Sequence, residues 1–306
     1  MTAAQEDLPS LARPGRSRMR ITIVGSGYIG LALARHWRQQ GGMQLTLTTT
    51  REERLAELAP LADRALVVRA DDAAMLRAAL EEAEAAVFCF APTGDRQVDA
   101  NGYRATYHDA MATLQTLMPA LPALRQIVYT GSCSVYGDAG GDWVDETTPP
   151  APVDAHGRIL HASEALLNTC RSDARRVCML RLGAIYGPGR ELADRFAPLA
   201  GSKRPGTGSH HCSWIHRDDV VGAVSAAVQQ GWDGLLNLVD DQPWTVADLL
   251  AAVLASRGLP PVLWDSAESQ EASPADRRIS NRRLHQLGYR LHHPRLAVAV
   301  AGRHPG

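Results

Sequence analysis

No stretch of this 306-residue sequence approaches the roughly 20 consecutive apolar residues of a membrane-spanning helix, so no helical span is expected. Surplus charge is missing too: Lys+Arg total 32 and Asp+Glu 33, a formal net charge of −1. Without a basic field there is nothing to hold nucleic acid or an anionic membrane, and a small-molecule partner is expected instead. Cysteine is sparse and odd in number (Cys89, Cys133, Cys170, Cys178, Cys212), with no Cys-x-x-Cys. That pattern argues against a disulfide framework and for reduced, mostly buried thiols in a cytoplasmic protein. The first 18 residues carry Arg13, Arg16 and Arg18 but no apolar segment, unlike a secretory signal. They read as a flexible tail, 1–18. Neither an internal repeat nor a low-complexity tract interrupts an otherwise globular composition, 45% hydrophobic and 21% charged.

What is present from Arg20 onward is alternation. Short apolar segments (Arg20–Val24, Gln44–Thr48, Ala65–Val68, Ala86–Phe90, Gln126–Thr130, Val177–Leu180) predict strands, and the stretches between them (Leu31–Gln40, Glu52–Leu58, Ala73–Glu82, Tyr107–Met118) predict helices. Strands this apolar are buried on both faces, which requires a parallel sheet covered by helices. The fold class is therefore α/β, a doubly wound parallel sheet of Rossmann type. After Leu182 the texture turns to Gly-Pro-rich loops and short helices, which predicts a smaller C-terminal substrate lobe. The expected division is a dinucleotide-binding domain 19–182 and a lobe 183–306, with segments near 213–240 returning to the large sheet.

The first strand runs directly into Gly25-Ser26-Gly27-Tyr28-Ile29-Gly30 and then a helix, the context that makes Gly-x-Gly-x-x-Gly informative. Gly25 permits a tight turn, Gly27 lets backbone approach a pyrophosphate, and Gly30 brings helix against strand. The helix N-terminus then attracts the anion. An acidic residue at the end of the second strand would hold the ribose hydroxyls of NAD, but the sequence there is Thr48-Thr49-Thr50-Arg51-Glu52-Glu53. Thr50 and Glu53 have capping-box spacing. Arg51 either pairs with a 2′-phosphate through its planar fork or is a solvated first-turn side chain. The balance favours NADP(H), with NAD(H) as the alternative. Asp71 follows the third strand and either reaches the adenine or caps a helix, as does Asp72. Ala91 and Pro92 form a backbone wall beside the ribose.

Beyond the fifth strand come Ser132-Cys-Ser-Val-Tyr136-Gly137 and, downstream, Asp154-Ala-His156-Gly-Arg-Ile-Leu160. With the glycine loop, Arg181-Leu-Gly-Ala-Ile-Tyr-Gly-Pro-Gly189, Trp214-Ile-His-Arg-Asp-Asp219, Asn237-Leu-Val-Asp-Asp and Arg278-Ile-Ser-Asn, these stretches resemble the extended short-chain dehydrogenases/reductases. These are the NAD-dependent epimerase/dehydratase family of nucleotide-sugar enzymes. The resemblance implies a hydroxyl residue after the fifth strand working with a Tyr-x-x-x-Lys helix. Ser132 falls at the hydroxyl position, His156 at the tyrosine and Leu160 at the lysine. The chain is most similar to the atypical, YeeZ-like subgroup that keeps the cofactor loop without the Tyr/Lys pair. An imidazole titrates near 6.5 and needs no lysine to move protons near neutrality. His156 is thus either the acid/base, with Ser132 orienting the substrate oxygen, or a polar first-turn residue. Tyr136 is a further candidate, as donor or pocket residue. The resemblance also implies a possible homodimer.

His210-His211-Cys212 with His216 matches no tetrahedral zinc spacing, and no metal is expected. Asp218 and Asp219 read as caps of a helix Val220–Gln229. Arg181 and Arg278 are candidates to face the interlobe cleft, with packing over apolar surface the alternative. The function expected is an NAD(P)-dependent oxidoreductase or epimerase acting on a small carbonyl, alcohol or sugar derivative. The alternative is a cofactor-binding sensor or partner-binding protein without catalysis.

Overall fold

In β1 (Met19–Val24) successive side chains enter opposite apolar layers, Ile21 and Ile23 one and Val24 the other. That two-sided burial dictates the architecture seen in the computed structural model, which describes residues 18–91, 99–266 and 275–296. Most of the expected tail, and Pro92, lie outside the described residues. β1 is followed by α1 (Tyr28–Gln40), β2 (Met43–Thr49), β3 (Arg64–Val67), α2 (Ala73–Leu80) and β4 (Ala85–Phe88). Then come α3 (Ala100–Arg104), α4 (Ala110–Leu117), β5 (Gln126–Ser132), α5 (Ala155–Thr169), β6 (Arg176–Leu182), α6 (Arg217–Gln230) and β7 (Gly234–Leu238). The seven strands form one parallel sheet in the order β7-β6-β5-β4-β1-β2-β3. The chain winds outward from β1 through β2 and β3, then crosses back to β4. That reversal opens a crevice at the carboxyl ends of β1 and β4, the usual ligand site of such sheets.

One face carries α1 and α6, whose Leu33, Trp37, Val220 and Val224 pack on Ile21, Leu47 and Val87. The Trp37 indole also donates to Ser225 Oγ at 2.9 Å, tying the two helices together. The opposite face carries α2, α4 and α5, with Leu76, Met111, Leu114 and Leu167 against Phe88 and Ile127. The predicted helix Tyr107–Met118 is regular only over Ala110–Leu117, because Ala105–Asp109 forms a π-helical turn behind α3. The Thr50/Glu53 capping box does not form. Arg51 occupies the cap position of the 3-10 turn Glu52–Arg54, with no side-chain cap bond. Its amide instead takes Thr49 Oγ1 at 3.2 Å, and Glu53 turns toward Arg51 Nε at 3.8 Å.

After β6 the chain builds small paired strands: Ala184–Tyr186 with Trp214–His216, His211–Cys212 with Trp244–Thr245, and Lys203–Pro205 with Leu263–Asp265. No described helix is long and apolar enough to cross a membrane. All five cysteines are free thiols. Just past β7, Asp240 is 6% exposed, and its Oδ2 finds no hydrogen-bond partner among the described residues. Burial, with the charge of Asp241 adding to it, pushes this carboxyl up to about 8. Folded, it keeps its proton to about that pH, while unfolded it loses it near 3.9. Between these values the folded state holds the extra proton, so stability falls as pH rises, by at most about 1.4 kcal/mol per unit. Asp240→Asn should therefore raise the urea midpoint at pH 8 and leave it nearly unchanged at pH 4. An equal gain at both pH values would disprove the titration.

Candidate functional site

The loop after β1 is shaped by its three glycines in different ways. Gly25 has φ +97°, and a Cβ there would lie 2.7 Å from Phe90 Cα. At Gly30 a Cβ would lie 2.3 Å from Gly25 O, so helix and turn touch backbone to backbone. At Gly27 a Cβ would meet nothing within 4 Å. The open side of Gly27 belongs to a cavity of about 1070 Å³ that runs along the crevice. α1 begins there with no side-chain cap and no acidic residue in its first turn. Ser26 Oγ, in a residue 1% exposed, finds no partner among the described residues. An uncapped helix start, an orphaned hydroxyl and empty space together fit a dinucleotide diphosphate.

Gly25, Ser26, Gly27, Tyr28 and Ile29 all line this cavity; Gly30 sits behind them. The Tyr28 ring lies under the Arg190 guanidinium, 4.2 Å from its centroid, and its hydroxyl donates to Pro188 O at 3.0 Å. The glycine loop is thereby fastened to the loop after the strand Ala184–Tyr186, a contact no local pattern announces. At the end of β2, Thr48, Thr49, Thr50 and Arg51 line the cavity. Arg51 is 57% exposed and only loosely paired, at 3.8 Å from Glu53. Arg54, which the sequence reading missed, also lines it and donates Nη1 to Ser26 O at 2.8 Å. Its place one turn beyond Arg51 was the available signal. Asp72 caps α2, accepting from the Ala74 and Met75 amides, while Asp71 is held by Arg69 at the cavity wall. Ala91 lines the cavity as well.

Beyond β5 the cavity is walled by Ser132, Tyr103, Tyr107, Leu182, Gly183 and Ile185. Ser132 ends β5 and caps the next turn, its Oγ accepting from the Ser134 amide at 3.2 Å. α5 starts at Ala155, capped by Asp154, whose carboxylate accepts from the Gly157 amide at 2.7 Å. His156 is therefore a first-turn residue, half-buried, and is not part of the cavity wall. Tyr103 covers it, with ring centroids 4.3 Å apart. Leu160, one turn on, is 3% exposed in the apolar layer with Tyr107 and Tyr129. Tyr136 does not reach the pocket. It is 2% exposed, and its hydroxyl donates to Asn237 Oδ1 at 2.8 Å, held by β7 beneath the Arg181 guanidinium.

The two arginines placed provisionally at the cleft have structural partners instead. Arg181 is buried in a double contact with Glu164, and Arg278 Nε donates to Gly141 O at 2.7 Å, its guanidinium over Trp143. Asp218 and Asp219 do not cap the following helix: His216 does, its Nδ1 accepting from the Asp218 amide. Asp219 is fully buried and accepts from the His292 and His293 amides, while the His293 ring stacks on His216 at 3.7 Å. The three groups clamp the C-terminal segment onto α6, because the aspartate satisfies two otherwise unpaired amides. His211 turns away to Asp276 at 2.8 Å.

Residues 21–237 match the NAD dependent epimerase/dehydratase family. Protein YeeZ of Escherichia coli K12 is 30% identical over 221 residues, 69% of this chain and 73% of that protein. The 3-diazoavenalumate denitrifying reductase of a Streptomyces species is 28% identical over 257 residues, 79% of this chain and 83% of the enzyme. A functionally unknown conserved protein from Silicibacter pomeroyi shares the fold, with a TM-score of 0.71 and 24% identity over 93% of this chain and 97% of that one. Most of the chain, including the glycine loop, β5 and α5, thus falls within one match, and the chain belongs to the NAD dependent epimerase/dehydratase family.

Proposed function

We propose that this chain is an NADP(H)-dependent oxidoreductase of the atypical short-chain type, acting on a small carbonyl or its alcohol. The observation that carries the reading is the continuous cavity of about 1070 Å³ from the uncapped start of α1 to Ser132. When bound, the nicotinamide supplies or accepts the hydride. Ser132 Oγ, at the end of a rigid strand, orients the substrate oxygen. The imidazole of His156 stands on the helix that borders this end and is the titratable group at the position of the family tyrosine. The name of the Streptomyces relative, a reductase, supports the reducing direction. Arg51 and Arg54, without an acid at the end of β2, favour a 2′-phosphate.

In calorimetric titrations NADPH should bind about tenfold more tightly than NADH, a difference of about 1.4 kcal/mol. Arg51→Ala should remove most of that margin without weakening NADH. Equal affinity in the unaltered protein would overturn the preference. A second reading, cofactor binding without turnover, draws on the burial of Leu160 at the lysine position. Loss of NADPH absorbance with a panel of carbonyl and keto-sugar substrates separates the two.

A further inference from the structure

We propose that Tyr103 is the proton donor of this site, with His156 behind it as a positioning residue, and that the site is built for carbonyl reduction. This rests on the oxidoreductase reading above. Three observations carry it. First, Tyr103 walls the cavity and His156 does not, so a substrate beside Ser132 meets the phenol rather than the imidazole. The two rings stack at 4.3 Å and 49°, which fixes the phenol from behind. Second, no lysine serves the site. The position of the family lysine is the buried Leu160, and the one lysine in the whole chain, Lys203, is 78% exposed and 4.0 Å from Asp265. Third, Tyr103 and Tyr107, four residues apart, pack against each other across the start of the π-helical turn, ring centroids 4.8 Å apart. π-Helical turns are rare and concentrate at functional sites.

The groups around the phenol are Tyr107 on the turn, Asp154 at the cap of α5, His156 on α5 and Tyr129 on β5. Burial, with the Asp154 charge adding to it, holds Tyr103 above the ordinary tyrosine range, while the Tyr107 hydrogen bond pulls the other way. The phenol is therefore protonated at neutral pH, the state a proton donor requires. In the step proposed, a bound reduced nicotinamide would supply the hydride to the carbonyl carbon, and the C=O electron pair would move to oxygen. The Tyr103 O–H bond breaks as its proton passes to that oxygen, giving the alcohol and a phenolate. The phenolate is reprotonated from solvent. Oxidation would need the phenol to take a proton, and no lysine stands beside it to make it that base.

The test pairs a chemical readout with a kinetic one. N-acetylimidazole should acetylate Tyr103, located by mass spectrometry, and saturating NADP+ should protect it; an unlabelled or unprotected Tyr103 overturns the proposal. With 9,10-phenanthrenequinone and NADPH, Tyr103→Phe should lower kcat by about 100-fold or more, as loss of a general acid does. KM and NADPH affinity should stay within about threefold. His156→Ala should cost about tenfold and displace the pH profile, with partial rescue in His156→Gln. A Tyr103→Phe enzyme with full kcat overturns the proposal alone. Tight NADPH binding with no turnover of any carbonyl by the unaltered protein overturns the oxidoreductase reading and the proposal together.

Discussion

Gly27→Ala should leave the protein folded and weaken dinucleotide binding by about 100-fold, equivalent to about 2.7 kcal/mol. The reason is the asymmetry among the three glycines. Gly27 has φ −85°, which alanine tolerates, and an added Cβ meets no protein atom within 4 Å. The methyl group instead enters the space where backbone and diphosphate must touch. Loss of a helix-cap preference costs only about 0.5–1 kcal/mol, so the melting temperature should fall by no more than a few degrees. Gly30→Ala behaves differently. Its Cβ would lie 2.3 Å from Gly25 O, a rigid backbone atom, and the turn must open to admit it. Overpacking of this kind costs about 1–3 kcal/mol in stability, with binding lost as well. Thermal shift and calorimetry on the two variants separate the cases. If Gly27→Ala binds NADPH as well as the unaltered protein, the diphosphate does not sit on this loop.

The parts of this molecule legible in its sequence are those where one local pattern has one structural outcome. Continuous apolar runs such as Val87-Phe88-Cys89 must be buried on both sides, and the glycine loop follows its strand directly, so sheet and loop are placed by short-range rules. The contact between Tyr103 and His156 is not local. It forms only because α3 and α5 pack side by side, and the π-helical turn that follows α3 has no spacing signature. Rival partners decide the remainder. Tyr136 was available to the pocket, but Asn237 captures its hydroxyl. Asp219 carries the composition of a cap, yet two amides of the C-terminal segment claim it, and His216 caps the helix instead. Such competition is settled by tertiary contacts between residues far apart in the chain.

Arg181 illustrates that competition most sharply, and removing its partner should be the most damaging single change outside the glycine loop. Its side chain is 4% exposed and that of Glu164 6%, with Nε and Nη2 reaching the two carboxylate oxygens at 3.0 and 2.6 Å. Burial disfavours the guanidinium charge, and the hydrogen bonds and charge of Glu164 more than offset it, holding the Arg181 pKa above its ordinary value. Take away the carboxylate and the cation is stranded. Glu164→Gln should therefore cost about 3–5 kcal/mol, the range for breaking one side of a buried pair. In a chain of this size that is roughly 5–8 °C in melting temperature. Because Arg181 also covers the Tyr136 ring at 4.5 Å, the loss should reach the Tyr136–Asn237 contact between the end of β5 and β7. The double replacement Glu164→Leu with Arg181→Met removes both charges and should cost less than the sum of the single changes. Urea denaturation of the two singles and the double measures the coupling. Additive costs would mean that the pair contributes nothing as a pair.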